Sequence, residues 1–368
     1  MSAVGSRIAI VGCGVIAPAY VHTIGRLADI EIAACVDADP ERAAALAQSA
    51  GARAATFDEV LADPEIDAVV NLTPPLAHAE VTHAALAAGK AAFSEKPLGI
   101  DFEEGRALRD LAVERGVRLG CAPDTFLGVG LQTCRAAIDR GDIGEPLAAN
   151  AFMLQAGPEW WHPNPGFFYG HGSGPMLDMG PYYLTALIQM LGPAVSVIGT
   201  GRISRAQRPI HSKPHRGDLI DVETPTHTSA AIEFRSGAIA TLVTSFDAAA
   251  TRYRHIEIYG SEGTLAVPDP NTFKGPVLRR GVRDEWWHDL ELVPKTLPQQ
   301  RGIGLADMLS AARNGRAHRA SGDLALHVLE IMSGALSSSD GNERVHLTTS
   351  CERAEPLRTD LPYGVFDA

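Results

Sequence analysis

The sequence predicts an α/β protein with two domains, a doubly wound parallel sheet first and a domain rich in antiparallel strands after it. Three observations support this prediction. The chain has 368 residues, which is more than one ordinary hydrophobic core accommodates. Its first 120 residues or so alternate short apolar runs with amphipathic stretches, whereas β-rich runs joined by turn residues dominate from about residue 125. We therefore expect one domain over residues 1–124 and a second over residues 125–368.

The strands of the first domain are predicted from apolar runs without a polar face, which are typical of parallel strands buried on both sides. The runs are Arg7–Val11, Ile30–Val36, Ala68–Leu72, Ala91–Ser94 and Arg118–Cys121. The helical segments that alternate with them are Val15–Leu27, Pro40–Ser49, Phe57–Leu61, His78–Ala88 and Phe102–Arg115. This alternation predicts βαβ units and a parallel sheet.

The second domain is predicted to open with a helix over Gly128–Arg140, a strand over Leu147–Gln155 and a helix near residues 177–191. The β-rich runs that follow are Val195–Arg202, His227–Phe234, Ala238–Phe246, His255–Tyr259 and Thr264–Val267. Turn residues at 235–237 and 260–263 predict antiparallel hairpins. Segment 203–224 has no clear periodicity and is predicted to be a long loop. Residues 321–323 are predicted to begin a packing helix.

Composition and charge argue against several classes of protein. Hydrophobic residues make up 45% and charged residues 21%, which is typical of a globular chain. A net charge of −12 argues against a nucleic-acid partner, because phosphate backbones are bound by clusters of Lys and Arg. The five cysteines form no C-x-x-C pair, and the polar residues around His211 and Asp218 lack a regular element, so we expect no metal. Because we find no leader and no long apolar run, we expect a cytoplasmic protein with no membrane partner.

A glycine-rich fingerprint directly follows the first predicted strand. The segment Gly12-Cys13-Gly14-Val15-Ile16-Ala17 has the form G-x-G-x-x-A and lies between a strand and a helix, the context that gives the motif its meaning. Its first glycine permits a tight turn, its second leaves room for a pyrophosphate, and Val15 and Ile16 complete the candidate loop. The second strand ends at Asp37, whose carboxylate would accept hydrogen bonds from ribose hydroxyls and repel a 2′-phosphate. NAD is therefore favoured over NADP, with a helix N-cap as the alternative role of Asp37.

Four further motifs point to a family. In chain order they are Thr73-Pro74 with His78, Ala88-Gly89-Lys90, Glu95-Lys96-Pro97 and Asp178-Met179-Gly180. Together with the glycine loop they resemble the Gfo/Idh/MocA family of NAD(P)-dependent oxidoreductases over nearly the whole chain. The resemblance implies a Rossmann domain followed by an α/β domain on an open, mostly antiparallel sheet. The outer face of that sheet commonly forms homodimers or homotetramers.

The resemblance also implies roles for residues of the first domain. The residues expected to border the nicotinamide ribose are Thr73, Pro74 and His78. Glu95 would help to fix the cofactor, and Lys96 would face nicotinamide and substrate, with a cis Lys96–Pro97 bond as a further expectation. Oxidation of a secondary alcohol needs a group that takes the hydroxyl proton while the carbinol hydrogen leaves as hydride. Because desolvation lowers the pKa of a lysine, Lys96 is the predicted main acid/base, and a surface lysine at a strand end is the alternative.

The second domain departs from the family pattern. Many members have D-x-G-x-H, whereas this chain has Asp178-Met179-Gly180-Pro181-Tyr182. Asp178 is predicted to orient a substrate hydroxyl, and Tyr182, one helical turn away, to assist proton transfer. Tyr182 is alternatively a hydrogen-bonding wall or a packed tyrosine. Pro181 predicts that the helix begins near it or bends there.

Two other clusters are candidate substrate contacts. Asp124 follows the last strand of the first domain, at the carboxyl end where open sheets bind ligands. Trp161 and His162, next to Trp160, resemble a carbohydrate clamp, and a loop packed on its own domain is the alternative. His162 is also the substitute base if Tyr182 is inert.

These observations predict an NAD-dependent dehydrogenase that acts on a secondary hydroxyl of a sugar, glycoside, cyclitol or polyol. One alternative substrate is a cyclic dihydrodiol of aromatic degradation, which paired indoles would also accommodate. A second alternative, from another class, is a non-catalytic NAD-sensing regulator on the same fold. Lys96 and Asp178 argue against the regulator, because it would not need them.

Overall fold

The computed structural model describes residues 5–293, 297–358 and 360–366, which group into two compact units. The first unit comprises the described residues within 1–129, 294–326 and 354–368, and the second comprises residues 130–293 and 327–353. The domain boundary after residue 124 stays a prediction, although the units divide close to it. Segments 297–326 and 354–366, which that boundary assigned to the second domain, group with the first unit.

The first unit is built on a six-stranded parallel sheet. Its strands are β1 (Ser6–Val11), β2 (Ile30–Val36), β3 (Arg53–Ala54), β4 (Ala68–Asn71), β5 (Ala91–Ser94) and β6 (Leu119–Cys121). Their order in the sheet is β3-β2-β1-β4-β5-β6, and each neighbouring pair is parallel. This is the predicted doubly wound sheet, with the two-residue β3 as an edge strand that was too short for periodicity to reveal.

Five helices connect these strands: α1 (Ala17–Ile24), α2 (Pro40–Ala50), α3 (Phe57–Ala62), α4 (His78–Ala87) and α5 (Phe102–Arg115). Side-chain caps set where several of them begin. Asp39 accepts from the Glu41 amide at the start of α2, and Thr56 and Glu59 form a reciprocal capping box at α3. Central strand residues such as Ile10 and Val70 are completely buried, as expected when helices cover both faces of a parallel sheet.

The second unit is built on a mixed nine-stranded sheet. The strands from here to the C-terminus are β7 (Pro146–Leu154), β8 (Ala194–Arg202), β9 (Gln207–Pro209), β10 (Leu219–Asp221), β11 (His227–Phe234), β12 (Ile239–Ser245), β13 (Ile256–Gly260), β14 (Gly263–Val267), β15 (Leu278–Gly281), β16 (His288–Asp289) and β17 (Val345–His346). The large sheet has the order β16-β15-β14-β13-β7-β12-β11-β8-β17, and all its pairs are antiparallel except β7 with β12. The predicted mostly antiparallel sheet is confirmed.

Both predicted hairpins are present, because β11 pairs with β12 and β13 with β14 across the expected turns. The prediction of a single long loop over residues 203–224 is wrong in part. Strands β9 and β10 pair there as a separate two-stranded sheet. Each is only three residues long, so neither carries an apolar alternation that sequence patterning could detect.

The remaining helices are α6 (Val129–Asp139), α7 (Gly174–Leu191), α8 (Ile303–Arg313) and α9 (Gly322–Gly341). Helix α7 packs on β7, β11 and β12 and covers one face of the large sheet. The opposite face is open, since Ile239 and Thr241 of β12 are exposed whereas the alternate residues Ala240 and Leu242 are buried. Among the described residues, no helix combines the length and the hydropathy that a membrane crossing requires.

Candidate functional site

The glycine loop joins β1 to α1 and has the geometry that a dinucleotide site requires. Gly12 has φ +97°, and a Cβ on it would lie 2.6 Å from the Leu72 carbonyl carbon and 2.7 Å from the Thr73 nitrogen. Only glycine tolerates both conditions. A Cβ on Gly14 would meet nothing within 4 Å, and the neighbouring Val15 side chain is completely exposed. The loop therefore offers the open backbone approach that a pyrophosphate needs, and its residues fit NAD.

Asp37 follows β2 and faces the glycine loop. Its Oδ2 accepts from the Cys13 amide at 2.7 Å, and its Oδ1 accepts from the Asp39 amide at 2.9 Å. The cap of helix α2 is Asp39, so the alternative role of Asp37 as the helix N-cap does not hold. A carboxylate is thus held against the loop, where it would meet the ribose hydroxyls of a dinucleotide.

His78 connects the turn after β4 with the E-K-P turn after β5. Its ring is 1% exposed, with Nε2 at 2.8 Å from the Thr73 carbonyl oxygen and Nδ1 at 2.7 Å from the Pro97 carbonyl oxygen. Burial lowers the pKa of His78, against the opposite effect of the two carbonyls. The buried His78 side chain therefore holds the two turns together. Thr73 is half-buried, so Thr73 and not the His78 ring is partly accessible at this site.

Asn71, to which sequence reasoning assigned no role, organises the same turn. Its Oδ1 accepts from the Thr73 hydroxyl at 2.6 Å, and its Nδ2 donates to the His78 carbonyl and to Thr82 Oγ1, each at 3.0 Å. Its backbone carbonyl accepts from the Glu95 amide at 2.8 Å. A buried amide at the carboxyl end of a parallel strand was the signal available in the sequence.

Glu95 and Lys96 begin the E-K-P turn directly after β5. Glu95 is 8% exposed, and its Oε1 accepts from the Tyr20 hydroxyl at 2.9 Å. Its Oε2 accepts from the Lys96 backbone amide at 3.1 Å. Lys96 is half-buried, and the Lys96–Pro97 bond is cis, as expected. Each carboxylate oxygen of Glu95 thus accepts a hydrogen bond from another group of the first unit.

Asp124 follows β6 and is completely buried. Its Oδ2 accepts from the amides of Gly302 and Gly304, at 2.7 and 3.0 Å, where helix α8 begins. Burial raises the pKa of Asp124 to about 6, against the effect of these hydrogen bonds. These contacts give Asp124 Oδ2 a structural role at a helix start, and the hydroxyl-binding role predicted from the sequence stays a prediction.

Asp178 and Tyr182 lie one turn apart within α7 of the second unit. The helix begins at Gly174 and continues through Pro181, so the expectation that it begins near Pro181 is wrong. Asp178 is half-buried and Tyr182 is buried. A Cβ on Gly180 would lie 3.0 Å from the Met332 sulfur and 3.2 Å from the Met176 sulfur, so the glycine between Asp178 and Tyr182 packs closely against two methionine side chains.

The predicted carbohydrate clamp lies in an aromatic loop of the second unit. Trp161 is 62% exposed and contacts His162 edge-on, with ring centroids 5.3 Å apart. His162 also contacts Phe167 and Phe168 edge-on, two residues that sequence reasoning missed although they lie in the same loop. Trp160 instead stacks on His211 at a centroid distance of 3.8 Å. Trp161 and His162 are therefore brought together, and Trp160 belongs to a neighbouring pair.

A buried charge network anchors this aromatic loop. Arg208 of β9 donates to Glu159 Oε1 from Nε at 2.9 Å and from Nη2 at 2.7 Å. It also donates to Asp247, and Tyr169 donates to the other oxygen of Glu159. These partners lie 39 and 49 residues from Arg208 in the chain, so no local pattern in the sequence could have indicated them.

Two family models match the two parts of the chain. Residues 6–122 match the oxidoreductase family with an NAD-binding Rossmann fold, and residues 131–266 match the GFO/IDH/MocA C-terminal domain. The chain belongs to the Gfo/Idh/MocA family. Its first unit carries the NAD-binding Rossmann domain of that oxidoreductase family.

Curated relatives of this Gfo/Idh/MocA member include dehydrogenases and a reductase. Inositol 2-dehydrogenase of Rhizobium meliloti (strain 1021) is 34% identical over 139 residues, 38% of this chain and 42% of the relative. The scyllo-inositol 2-dehydrogenase (NAD(+)) of Bacillus subtilis (strain 168) is 29% identical over 210 residues, 57% of each chain. The 1,5-anhydro-D-fructose reductase of Ensifer adhaerens is 28% identical over 292 residues, 76% of this chain and 81% of the relative. The chain thus spans about half the length of the first two relatives.

Solved structures share the fold at lower identity. Levoglucosan dehydrogenase in complex with NADH and levoglucosan has a TM-score of 0.80 at 20% identity, covering 94% of this chain and all of that one. An NAD-binding oxidoreductase from Klebsiella pneumoniae has the same TM-score at 22% identity, with 94% and 100% covered. At this identity the likeness concerns the fold alone.

Proposed function

We propose that this Gfo/Idh/MocA member is an NAD-dependent dehydrogenase acting on a secondary hydroxyl of a sugar, glycoside, cyclitol or polyol. One observation carries the proposal: a continuous set of contacts links the glycine loop to the turn that bears Lys96. Gly12 lies against the Thr73 turn, and His78 connects the carbonyls of Thr73 and Pro97. A lysine on the same support as the cofactor loop is suited to act at the cofactor's reactive end. The inositol and anhydrofructose enzymes among the relatives favour this substrate class.

In the proposed reaction Lys96 is the main acid/base. Bound NAD would supply the acceptor for the carbinol hydride. In the direction of oxidation, the neutral Lys96 amine takes the proton of the substrate hydroxyl as the C–O double bond forms, and in reduction the ammonium returns it. Asp178 accepts a hydrogen bond from a substrate hydroxyl and orients it, and Tyr182 assists as donor or acceptor. Trp161 and His162 contact the sugar, since indoles stack on apolar ring faces and imidazoles hydrogen-bond to hydroxyls.

We further propose that the cofactor is NAD in preference to NADP. Asp37 supports this, because its carboxylate is held against the loop by the Cys13 amide. A fixed negative charge there repels a 2′-phosphate and accepts from the ribose hydroxyls. The residues that would contact the cofactor are Gly12, Gly14, Val15, Ile16, Asp37, Thr73, Pro74 and Lys96. His78 and Glu95 would contribute by holding the turns that carry Thr73 and Lys96.

The aromatic loop favours a second candidate substrate, a cyclic dihydrodiol. Phe167 is 50% exposed and contacts His162 edge-on, so the loop presents more apolar ring surface than a simple clamp requires. A substrate with an unsaturated ring would bury that surface more fully than a polyol. The hydride and proton chemistry would be unchanged.

One assay separates these possibilities. The protein is incubated with NAD or NADP and a panel of sugars, glycosides, inositols and dihydrodiols while NADH absorbance is followed. We expect NAD-dependent oxidation of at least one polyol or glycoside. Turnover of dihydrodiols alone would select the second candidate. Intact NAD binding without turnover of any panel member would reject the dehydrogenase and leave the NAD-sensing regulator.

We also propose that the open face of the large sheet forms a homodimer or homotetramer. Ile198 of β8 and Ile239 of β12 are 42% and 55% exposed on that face, and the small residue Ala231 of β11 lies between the two strands, paired with Ile198 and Thr241. Exposed apolar side chains on neighbouring strands of an open sheet face are typical of a protein interface. Light scattering of the wild type and of Ile239→Lys tests the proposal, and a monomeric wild type would reject it.

A further inference from the structure

Tyr20 is a buried tyrosine in the first turn of α1, the helix that follows the glycine loop. Its side chain is completely buried, and its hydroxyl donates to Glu95 Oε1 at 2.9 Å. Burial, reinforced by the nearby Glu95 charge, raises the pKa of Tyr20 well above its ordinary value. The phenol therefore keeps its proton at neutral pH and serves as a permanent donor.

The acceptor of this hydrogen bond stands next to Lys96. A buried carboxylate needs donors for its oxygens, and Glu95 receives one at each: the Tyr20 hydroxyl on Oε1 and the Lys96 backbone amide on Oε2. Two donors on opposite oxygens fix the plane of the carboxylate as well as its position. If the first donor is lost, the carboxylate can rotate and release the second.

We propose that Tyr20 is a positioning residue for Lys96, acting through Glu95. The first turn of the glycine-loop helix holds the Glu95 carboxylate, and this carboxylate holds the amide from which the Lys96 side chain begins. The contact of His78 with the Pro97 carbonyl restrains the following peptide, but it comes from α4. Tyr20 thus links the helix that follows the pyrophosphate loop to the lysine. The inference rests on the acid/base role proposed for Lys96.

Tyr20→Phe removes only the hydroxyl and should slow turnover more than it weakens binding. A misplacement of about 1 Å at a reacting group can cost on the order of 100-fold in rate. We expect kcat to fall roughly 10- to 100-fold and KM for the substrate to stay within about 3-fold, because no substrate contact is removed. The matched control is Tyr183→Phe in the second unit, where the residue is 1% exposed and its hydroxyl contacts His255 Nδ1 at 2.8 Å.

Two further measurements separate positioning from a general loss of stability. In a double-mutant cycle, Tyr20→Phe should cause much less loss of kcat in a Glu95→Gln background than in wild type, because the connection is already broken. Amide hydrogen exchange over residues 94–98 should quicken in Tyr20→Phe and stay unchanged in Tyr183→Phe. Glu95→Gln should quicken the same exchange, and it replaces Tyr20→Phe as the test if that variant does not fold.

Several outcomes would overturn the inference. They are wild-type kcat and exchange in Tyr20→Phe, additive losses in the double-mutant cycle, and an equal loss of kcat in Tyr183→Phe. The exchange measurement needs no turnover, so it separates this inference from the proposed function. Faster exchange at Lys96 in a protein that oxidises no member of the substrate panel would reject the proposed reaction and still support the link from Tyr20 to Lys96.

Discussion

Replacement of Arg208 by methionine should strongly destabilise the second unit. The side chains of Arg208 and Glu159 are 7% and 4% exposed, and the guanidinium makes two hydrogen bonds to one carboxylate oxygen. In Arg208→Met, Glu159 would keep the hydrogen bond from Tyr169, but its charge would remain buried without a cation. Asp247 is more exposed and would keep Thr226 and Ser204 as donors, so most of the cost arises at Glu159.

The loss in the free energy of unfolding can be estimated from the contacts that Glu159 and Asp247 would keep. Loss of one partner from a buried ion pair typically costs ~3–5 kcal/mol. Because both carboxylates keep neutral donors, we expect the lower end of this range, about 3 kcal/mol in the free energy of unfolding. The exposed pair Arg140–Asp142, in which Arg140 is 55% exposed, provides the control. Arg140→Met should cost about 1 kcal/mol or less.

Tryptophan fluorescence during urea unfolding measures this difference. The chain has four tryptophans, and all of them, Trp160, Trp161, Trp286 and Trp287, lie in the second unit, so the signal reports on that unit. A double variant with Arg208→Met and Glu159→Met removes the unpaired charge and should recover most of the lost stability. If Arg208→Met is no more destabilising than Arg140→Met, the network does not stabilise the unit as argued.

Three other predictions concern the cofactor, the reaction and pH. Lys96→Ala should keep NAD binding, measured by fluorescence titration, and lose about 10²–10⁴-fold in turnover; near-normal turnover would remove Lys96 from the mechanism. Asp37→Ala should weaken NAD roughly tenfold or more and reduce the preference over NADP, judged from kcat/KM with each cofactor; a wild type that already prefers NADP would contradict this role of Asp37. Burial lowers the pKa of His327 from 6.5 to about 4 in the folded chain. The unfolded chain therefore binds more protons than the folded chain between these values. The contribution of His327 to the free energy of unfolding should be fully present above about pH 6.5 and should be lost as the pH falls towards 4. His327→Gln should flatten that part of the stability profile, measured by thermal melting across pH.

Local features of the sequence predicted most of the first unit and the hairpins of the second. The strand, glycine turn and helix around Gly12 are formed by residues that are close together in the sequence, so a short sequence segment is enough to recognise them. The same holds for the turns at residues 235–237 and 260–263, where the tight connection between two strands requires small residues. Strands β3, β9, β10, β16 and β17 were not predicted, because two or three residues show no periodicity. Strand β15 and helix α8 were not predicted either.

The candidate site was predicted unevenly for the same physical reason. Asp37 could be predicted because it follows the glycine loop at a characteristic sequence separation, at the end of the second strand of one βαβ unit. The hydrogen bond between Tyr20 and Glu95 spans 75 residues, and that between Arg208 and Glu159 spans 49, so neither follows from local pattern. Asp124 is a further case: its position after a strand suggested a ligand contact, which stays a prediction, whereas the partners of its Oδ2 are the amides of Gly302 and Gly304, 178 and 180 residues away.

This contrast explains why the cofactor can be inferred from sequence more readily than the substrate. The cofactor loop imposes conditions on the backbone, such as φ +97° at Gly12, that only one residue type satisfies easily. The aromatic loop imposes no such condition, because Trp161 is held by side-chain packing and by an ion network that joins distant segments. Substitutions there can change the ligand without disturbing the fold. Under the proposed function, variants of Trp161 should therefore change the relative kcat/KM among the substrates of the panel, and variants of Gly14 or Asp37 should alter cofactor binding whichever substrate is used.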